Sequence, residues 1–245
     1  MSHFIKSLFV VFLLAGCAAA APTATAPVIV STETSLPPTE VVPAATATLG
    51  ISGVQITVPV VEDNESFNAT VTGNGEIGVI LADTFGYNPL RWLPLIDALD
   101  DNERLRMVTF AYRDEDATPN QDTRAVFDYL RAEGIDKIIC VGAGYGSSAC
   151  GYLQNEPEII GMVIITVDHI SKIEAGFPKL FLTADTDSVI PAAVTQRVYE
   201  QSAEPKEFKS YASGRHGTGL FTDPNVGSQV LADITDFINE VVSSH

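Results

Sequence analysis

The chain has 245 residues, 46% hydrophobic and 18% charged, enough to bury a sizeable core in one large α/β domain or in a smaller domain with appendages. Fourteen Lys and Arg stand against 31 Asp and Glu, and the net charge of −17 repels phosphate backbones, which argues against nucleic acid as a partner. The three cysteines, Cys17, Cys140 and Cys150, are too few for a disulfide scaffold and too scattered for a cysteine-built zinc site, so a cysteine-built metal centre is not expected; no other motif calls for a metal or a cofactor, and none is expected.

Lys6 precedes an apolar run from Leu8 to Ala15, which is signal-peptide length and well short of the ~20 residues of a spanning helix. The run ends in Leu14-Ala15-Gly16-Cys17, which resembles the bacterial lipobox. That resemblance implies removal of residues 1–16, acylation of Cys17 and attachment to a membrane through the N-terminal lipid. An ordinary secretory signal cut near Ala20 or Ala21 is the alternative, and on either reading the protein faces outside the cytoplasm. Ala18 stands where an inner-membrane retention signal would place Asp, which favours an outer or outward-facing leaflet of the cell membrane or outer membrane. Removing residues 1–16 takes away Lys6 and no carboxylate, so the anchor relies on acyl chains, at ~0.8 kcal/mol per buried methylene.

From Ala18 to about Gly50 the chain is Ala, Thr, Pro and Ser with scattered Val, and carries only Glu33 and Glu40 as charges. It has no means of building a core, and residues 17–50 are expected to be a disordered, lipidated tether reaching up to roughly 100 Å, or a glycosylated stalk.

The folded domain is expected over residues 51–245. Gly53 to Val61 and Phe67 to Thr72 read as an antiparallel hairpin, and Ile77 to Leu81 as a fully apolar strand. Pro89 to Leu99 has helical apolar spacing around Trp92, Leu95, Ile96 and Leu99, and Leu105 to Ala111 returns as a strand. Asp122 to Glu133 is an amphipathic helix with Gly134 at its C-cap, leading to a buried strand over Ile138 to Val141. A helix over Tyr145 to Leu153, buried strands over Ile159 to Val167 and Lys179 to Thr183, a helix over Pro191 to Gln201, a last strand over Phe208 to Tyr211 and a long helix over Val226 to Val242 complete the alternation. Strand and helix in alternation mean a mostly parallel central sheet flanked by helices.

This order of elements resembles the α/β-hydrolase fold over about 195 residues, and three motifs fall where that family puts its catalytic machinery. The strand Ile138-Ile139-Cys140-Val141 runs into Gly142-Ala143-Gly144-Tyr145-Gly146, which is similar to the G-x-S-x-G nucleophile elbow with Gly144 in the place of the serine. Ser147 and Ser148 lie downstream of the elbow, and taking either as a relocated nucleophile loses the register of the motif on the strand end. Ala184 to Pro191 resembles the family's acid loop, with Asp187 as the acid and Asp185 as second choice, and Gly214-Arg215-His216-Gly217-Thr218 resembles its histidine loop. The resemblance implies that His216 is the base, held in one tautomer by Asp187.

It also implies an oxyanion hole from the amides of Tyr145 and Phe85. Asp83 stands where the family usually has histidine. A carboxylate ~5 Å from a developing oxyanion opposes it by roughly 3 kcal/mol at an effective dielectric near 20. Asp83 capping its own loop is an equal alternative. With about ten residues between Val167 and Lys179, no cap domain is expected. Cys140 and Cys150 are expected to stay as buried free thiols, because a helix packs on a sheet at ~10 Å and a disulfide reaches ~7 Å between Cα atoms.

Three functions follow. The first is a degenerate hydrolase that binds a small ligand or a protein partner. The second is an active hydrolase or lyase of small esters that uses the Asp187–His216 pair as general base, and the third is a plain tethered interaction module.

Overall fold

A computed structural model describes residues 50–84, 88–113, 119–167 and 169–245. The signal sequence, Cys17 and all but Gly50 of the tether expected over 17–50 lie outside the described residues, as does Phe85.

Eight strands form one sheet in the order β1-β2-β4-β3-β5-β6-β7-β8: β1 Val54–Val60, β2 Glu65–Thr72, β3 Ile77–Ala82, β4 Leu105–Phe110, β5 Ile138–Ala143, β6 Ile159–Ile165, β7 Lys179–Ala184 and β8 Lys206–Tyr211. β1 and β2 make the antiparallel hairpin, in register Val58 opposite Phe67, and β2 joins β4 antiparallel. From β4 to β8 every neighbouring pair is parallel. β3, β5, β6 and β7 are buried along their whole length, as strands covered by helices on both faces must be.

The alternation of side chains along a strand splits the core in two. Ile139 and Val141 of β5 point to the face covered by α1 Leu93–Leu99 and α5 Gly227–Ser243, where they meet Leu95, Leu99, Ile234 and Ile238. Ile138 and Cys140 point to the other face, under α2 Pro119–Ala132, α3 Tyr145–Tyr152 and α4 Ala192–Gln201, where Phe127, Leu130 and Val198 lie. Val230, Ile234, Ile238 and Val241 form the buried stripe of α5, and each side chain so buried contributes about 1.5–3 kcal/mol relative to exposure.

The helix expected over Pro89–Leu99 begins instead as a 3-10 turn, Pro89–Trp92, with α1 proper starting at Leu93. Pro94 lacks the N–H that a continuous helix needs, so the two proline-opened pieces meet at Trp92. Gly134 takes φ 83 after α2, as its C-cap reading requires. No cap domain stands between β6 and β7 among the described residues.

The expectation of two free thiols is corrected. Cys140 and Cys150 form a disulfide with their Cα atoms 5.7 Å apart. The ~10 Å spacing measures element axes, whereas helix Cα atoms lie on a cylinder of about 2.3 Å radius and so come nearer to the sheet. The approach is closer still here, because Gly142 lies directly against the backbone of Gly146, and Gly146 against the carbonyl of Ala82. A Cβ on either glycine would overlap main-chain atoms.

Candidate functional site

The centre of the site is the turn from β5 into α3. Gly144 has φ 56 and ψ −119, a conformation that L side chains rarely adopt and that the nucleophile elbow demands. Its N–H donates to the carbonyls of Ile165 (3.0 Å) and Thr166 (3.1 Å), which pins the turn to the end of β6. Ser147 is fully buried and its Oγ donates to the carbonyls of Gly142 (2.7 Å) and Ile165 (3.1 Å), so its hydroxyl holds the elbow from behind. Ser148 is buried as well.

Asp187 and His216 meet, 29 residues apart in sequence, with Nδ1 of the imidazole 2.9 Å from Oδ2 of the carboxylate. Oδ1 of Asp187 accepts from the backbone N–H groups of Val189 (2.8 Å) and Ile190 (3.0 Å), so its own loop fixes the carboxylate. His216 precedes the 3-10 turn Gly217–Thr222, which starts with the N–H of Gly219 donating to the His216 carbonyl at 3.0 Å. A carboxylate at Oδ2 takes the Nδ1–H and leaves the lone pair on Nε2, and Nε2 lies 3.4 Å from the point where a Cβ on residue 144 would sit. Asp185 is elsewhere, accepting from the Ser210 hydroxyl.

Asp83 caps its loop. Its Oδ1 accepts from the Thr84 N–H at 2.7 Å and its Oδ2 from the Thr218 hydroxyl at 2.9 Å, with Arg91 Nε 3.8 Å away. Burial raises the Asp83 pKa above the ordinary carboxylate value, and the Thr84 N–H, the Thr218 hydroxyl and Arg91 act against it. The charge thus belongs to a network that joins Arg91, Thr218, Asp83 and Thr84, since Arg91 Nε also donates to Thr218 Oγ1 at 2.7 Å. Of the two amides assigned to an oxyanion hole, Tyr145 opens α3, while Phe85 lies outside the described residues.

Four residues at the site escaped the sequence reading. Thr84 places its hydroxyl where any Cβ on residue 144 would be, and that hydroxyl donates to the Ala143 carbonyl at 3.3 Å. Thr166, buried and at φ 56, puts Oγ1 3.4 Å from Asp187 Oδ2; a β-branched residue in that region of φ signals local strain. His169 stacks on Tyr145, ring centroids 4.8 Å apart and planes 7° from parallel. Thr218 bridges Arg91 and Asp83. Two of them carried a signal, Thr218 as the last residue of the histidine-loop motif and Thr84 as the neighbour of Asp83 in the loop after β3. Trp92 is fully buried against Phe221, so it belongs to the core.

No group of His, Cys, Asp and Glu among the described residues is arranged to hold a metal ion. A cleft of about 320 Å³ opens at the other end of the sheet, beside Lys179 and Lys206 at the starts of β7 and β8, and contains none of the residues above.

No family model matches the sequence, and no curated protein matches it. Solved structures do match in fold. A monoacylglycerol lipase of Paleococcus ferrophilus superposes with a TM-score of 0.62 at 14% identity, covering 71% of this chain and 98% of its own. Est1E from Butyrivibrio proteoclasticus gives 0.63 at 12%, covering 78% and 100%, and the esterase domain of a Rhodothermus marinus protein gives 0.57 at 15%, covering 75% and 98%. With its mostly parallel eight-stranded sheet, its flanking helices and its β5–α3 elbow, the chain has the α/β-hydrolase fold.

Proposed function

We propose that this is an exported, lipid-anchored protein with a degenerate hydrolase centre, which binds a small ligand or a protein partner where esterases of this fold hold their substrates. One observation carries the reading: the elbow has the backbone conformation of a nucleophile turn at Gly144, φ 56 and ψ −119, while the residue there has no side chain to act as nucleophile. Loss of the nucleophile from a working triad removes roughly 10⁶ of rate, so a serine-type ester hydrolysis has no basis here.

Export is supported by the Leu14-Ala15-Gly16-Cys17 sequence, with acylation proposed at Cys17, residues 17–50 as tether and 51–245 as the domain. The buried Cys140–Cys150 disulfide adds to it, because structural disulfides persist in oxidising compartments.

A second reading is favoured by the intact relay. His216 and Asp187 are oriented as a base and its partner, with Nε2 turned to the elbow, which suits proton transfer from a hydroxyl or water of a bound substrate.

The test is restoration. Gly144→Ser alone puts a Cβ onto the Thr84 hydroxyl, so the informative variant is Gly144→Ser with Thr84→Ala. Steady-state turnover of p-nitrophenyl acetate is expected to be negligible in wild type and to rise, with an acyl burst, in the double variant. Wild-type turnover equal to that of the double variant would refute the degenerate centre.

A further inference from the structure

The hydroxyl of Thr84 stands out because it fills the space that the elbow residue leaves. A Cβ built on Gly144 would overlap Thr84 Oγ1 and would also lie 3.4 Å from His216 Nε2 and 3.5 Å from Thr84 Cβ. The hydroxyl and the ring nitrogen therefore flank one point, which in a serine hydrolase belongs to the nucleophile's own side chain.

Three features bear on what Thr84 can do there. Its backbone is fixed, since Asp83 Oδ1 takes its N–H at 2.7 Å and Asp83 is itself held by Thr218. Its hydroxyl is only loosely engaged, with a 3.3 Å contact to the Ala143 carbonyl, longer than an ordinary O–H···O hydrogen bond. The base beside it is aligned, because the Asp187 carboxylate at 2.9 Å holds Nδ1 and turns Nε2 to the elbow. Hydrogen bonds of this kind are often long in the free enzyme and tighten once substrate is bound.

We propose that Thr84 is the acyl acceptor of this site, a hydroxyl supplied from the β3 loop in place of the one absent at residue 144. The inference rests on the reading in which the Asp187–His216 pair still works as a base. Thr84 Oγ1 attacks the carbonyl carbon of a small activated ester and its proton passes to His216 Nε2. The carbon–oxygen bond to the leaving group then breaks, and the imidazolium returns that proton to the departing alcohol. The product is an ester on Thr84, released by water with His216 again as base. A secondary hydroxyl attacks slowly and the acyl group blocks its own pocket, so the expected behaviour is slow, stoichiometric acylation with little turnover.

A residue present only to fill space needs volume and no hydroxyl, which separates the two roles experimentally. The probe is an alkyl fluorophosphonate, which phosphonylates an activated hydroxyl with loss of fluoride, followed by peptide mass spectrometry. One adduct on the peptide containing Thr84 is expected in wild type. It should be lost in Thr84→Val, which keeps the shape, retained or faster in Thr84→Ser, and lost in His216→Ala; circular dichroism shows whether each variant is folded. Labelling of Thr84→Val at the wild-type rate would overturn the proposal, as would no labelling of wild type. Turnover of p-nitrophenyl acetate that survives Thr84→Val and disappears in His216→Ala would overturn it too, while leaving the relay reading intact with water as nucleophile.

Discussion

The two halves of the site differ in what they carry. On one side, the loops after β7 and β8 bring Asp187 and His216 to 2.9 Å, and the acid is further tied by two backbone N–H groups and, at 3.4 Å, by Thr166 Oγ1. On the other, the elbow after β5 has the backbone of a nucleophile turn and no side chain on it. Both places have a defined geometry, and only the relay carries its chemistry on the side chains of its own motif.

The reason lies in what each region needs to keep its shape. A non-glycine residue at φ 56 is strained by about 1–3 kcal/mol, so glycine at 144 relieves the turn, and the close approach of Gly142 and Gly146 holds it regardless. The relay consists of its side chains. Without Asp187, the N–H groups of Val189 and Ile190 lose their acceptor and His216 its orienting partner. The elbow therefore holds its shape without a side chain at residue 144, whereas losing a relay residue disturbs its loop.

That contrast is sharpened most by testing the relay in the restored protein. In the Gly144→Ser/Thr84→Ala background, Asp187→Asn is expected to lower kcat for p-nitrophenyl acetate by about 10⁴-fold, as the imidazole then takes the wrong tautomer. An effect below tenfold would mean that the two halves no longer act together.

The disulfide ties the strand below the elbow to the helix above it. Replacing Cys140 and Cys150 by alanine is expected to cost about 2–4 kcal/mol in denaturant unfolding of the domain. If stability is unchanged, the elbow is held by its glycine contacts alone.

Lys179, fully buried at the start of β7, provides a pH test remote from the site. Burial lowers its pKa from 10.5 to about 8, and its Nζ reaches the carbonyls of Ala175 and Phe177, both at 2.6 Å, which suits the two N–H groups of a neutral amine. Between about 8 and 10.5 the unfolded chain binds the extra proton, so this group's contribution to stability rises with pH through that window. The gain is up to about 3 kcal/mol, read as the difference between wild type and Lys179→Met. A difference that stays flat across the window would contradict it.

The smallest expected effect is none. Deleting residues 18–48 should leave the melting temperature of the domain unchanged, because the segment lacks the apolar bulk to pack. A fall of several degrees would show that it docks.

Much of this was legible in the chain because it is local. Apolar runs at Ile138–Ala143 and Ile159–Ile165, proline at helix starts and the Gly142-Ala143-Gly144-Tyr145-Gly146 turn each announce themselves within a few residues. The motif order brought Asp187 and His216 together by analogy. What stayed hidden depends on convergence of distant segments: Thr218 and Asp83 are 135 residues apart, and Thr84 and Ala143 are 59 apart. The disulfide is hidden for a related reason, since a generic helix-to-sheet spacing does not hold where glycines let the backbones touch.

The most direct measurement of the central claim is intact-protein mass after exposure of the Gly144→Ser/Thr84→Ala domain to an alkyl fluorophosphonate. One adduct is expected, mapping to residue 144 and abolished by adding His216→Ala. No adduct in a folded double variant, or an adduct formed equally well without His216, would contradict the claim that the elbow lacks only its side chain beside an intact relay.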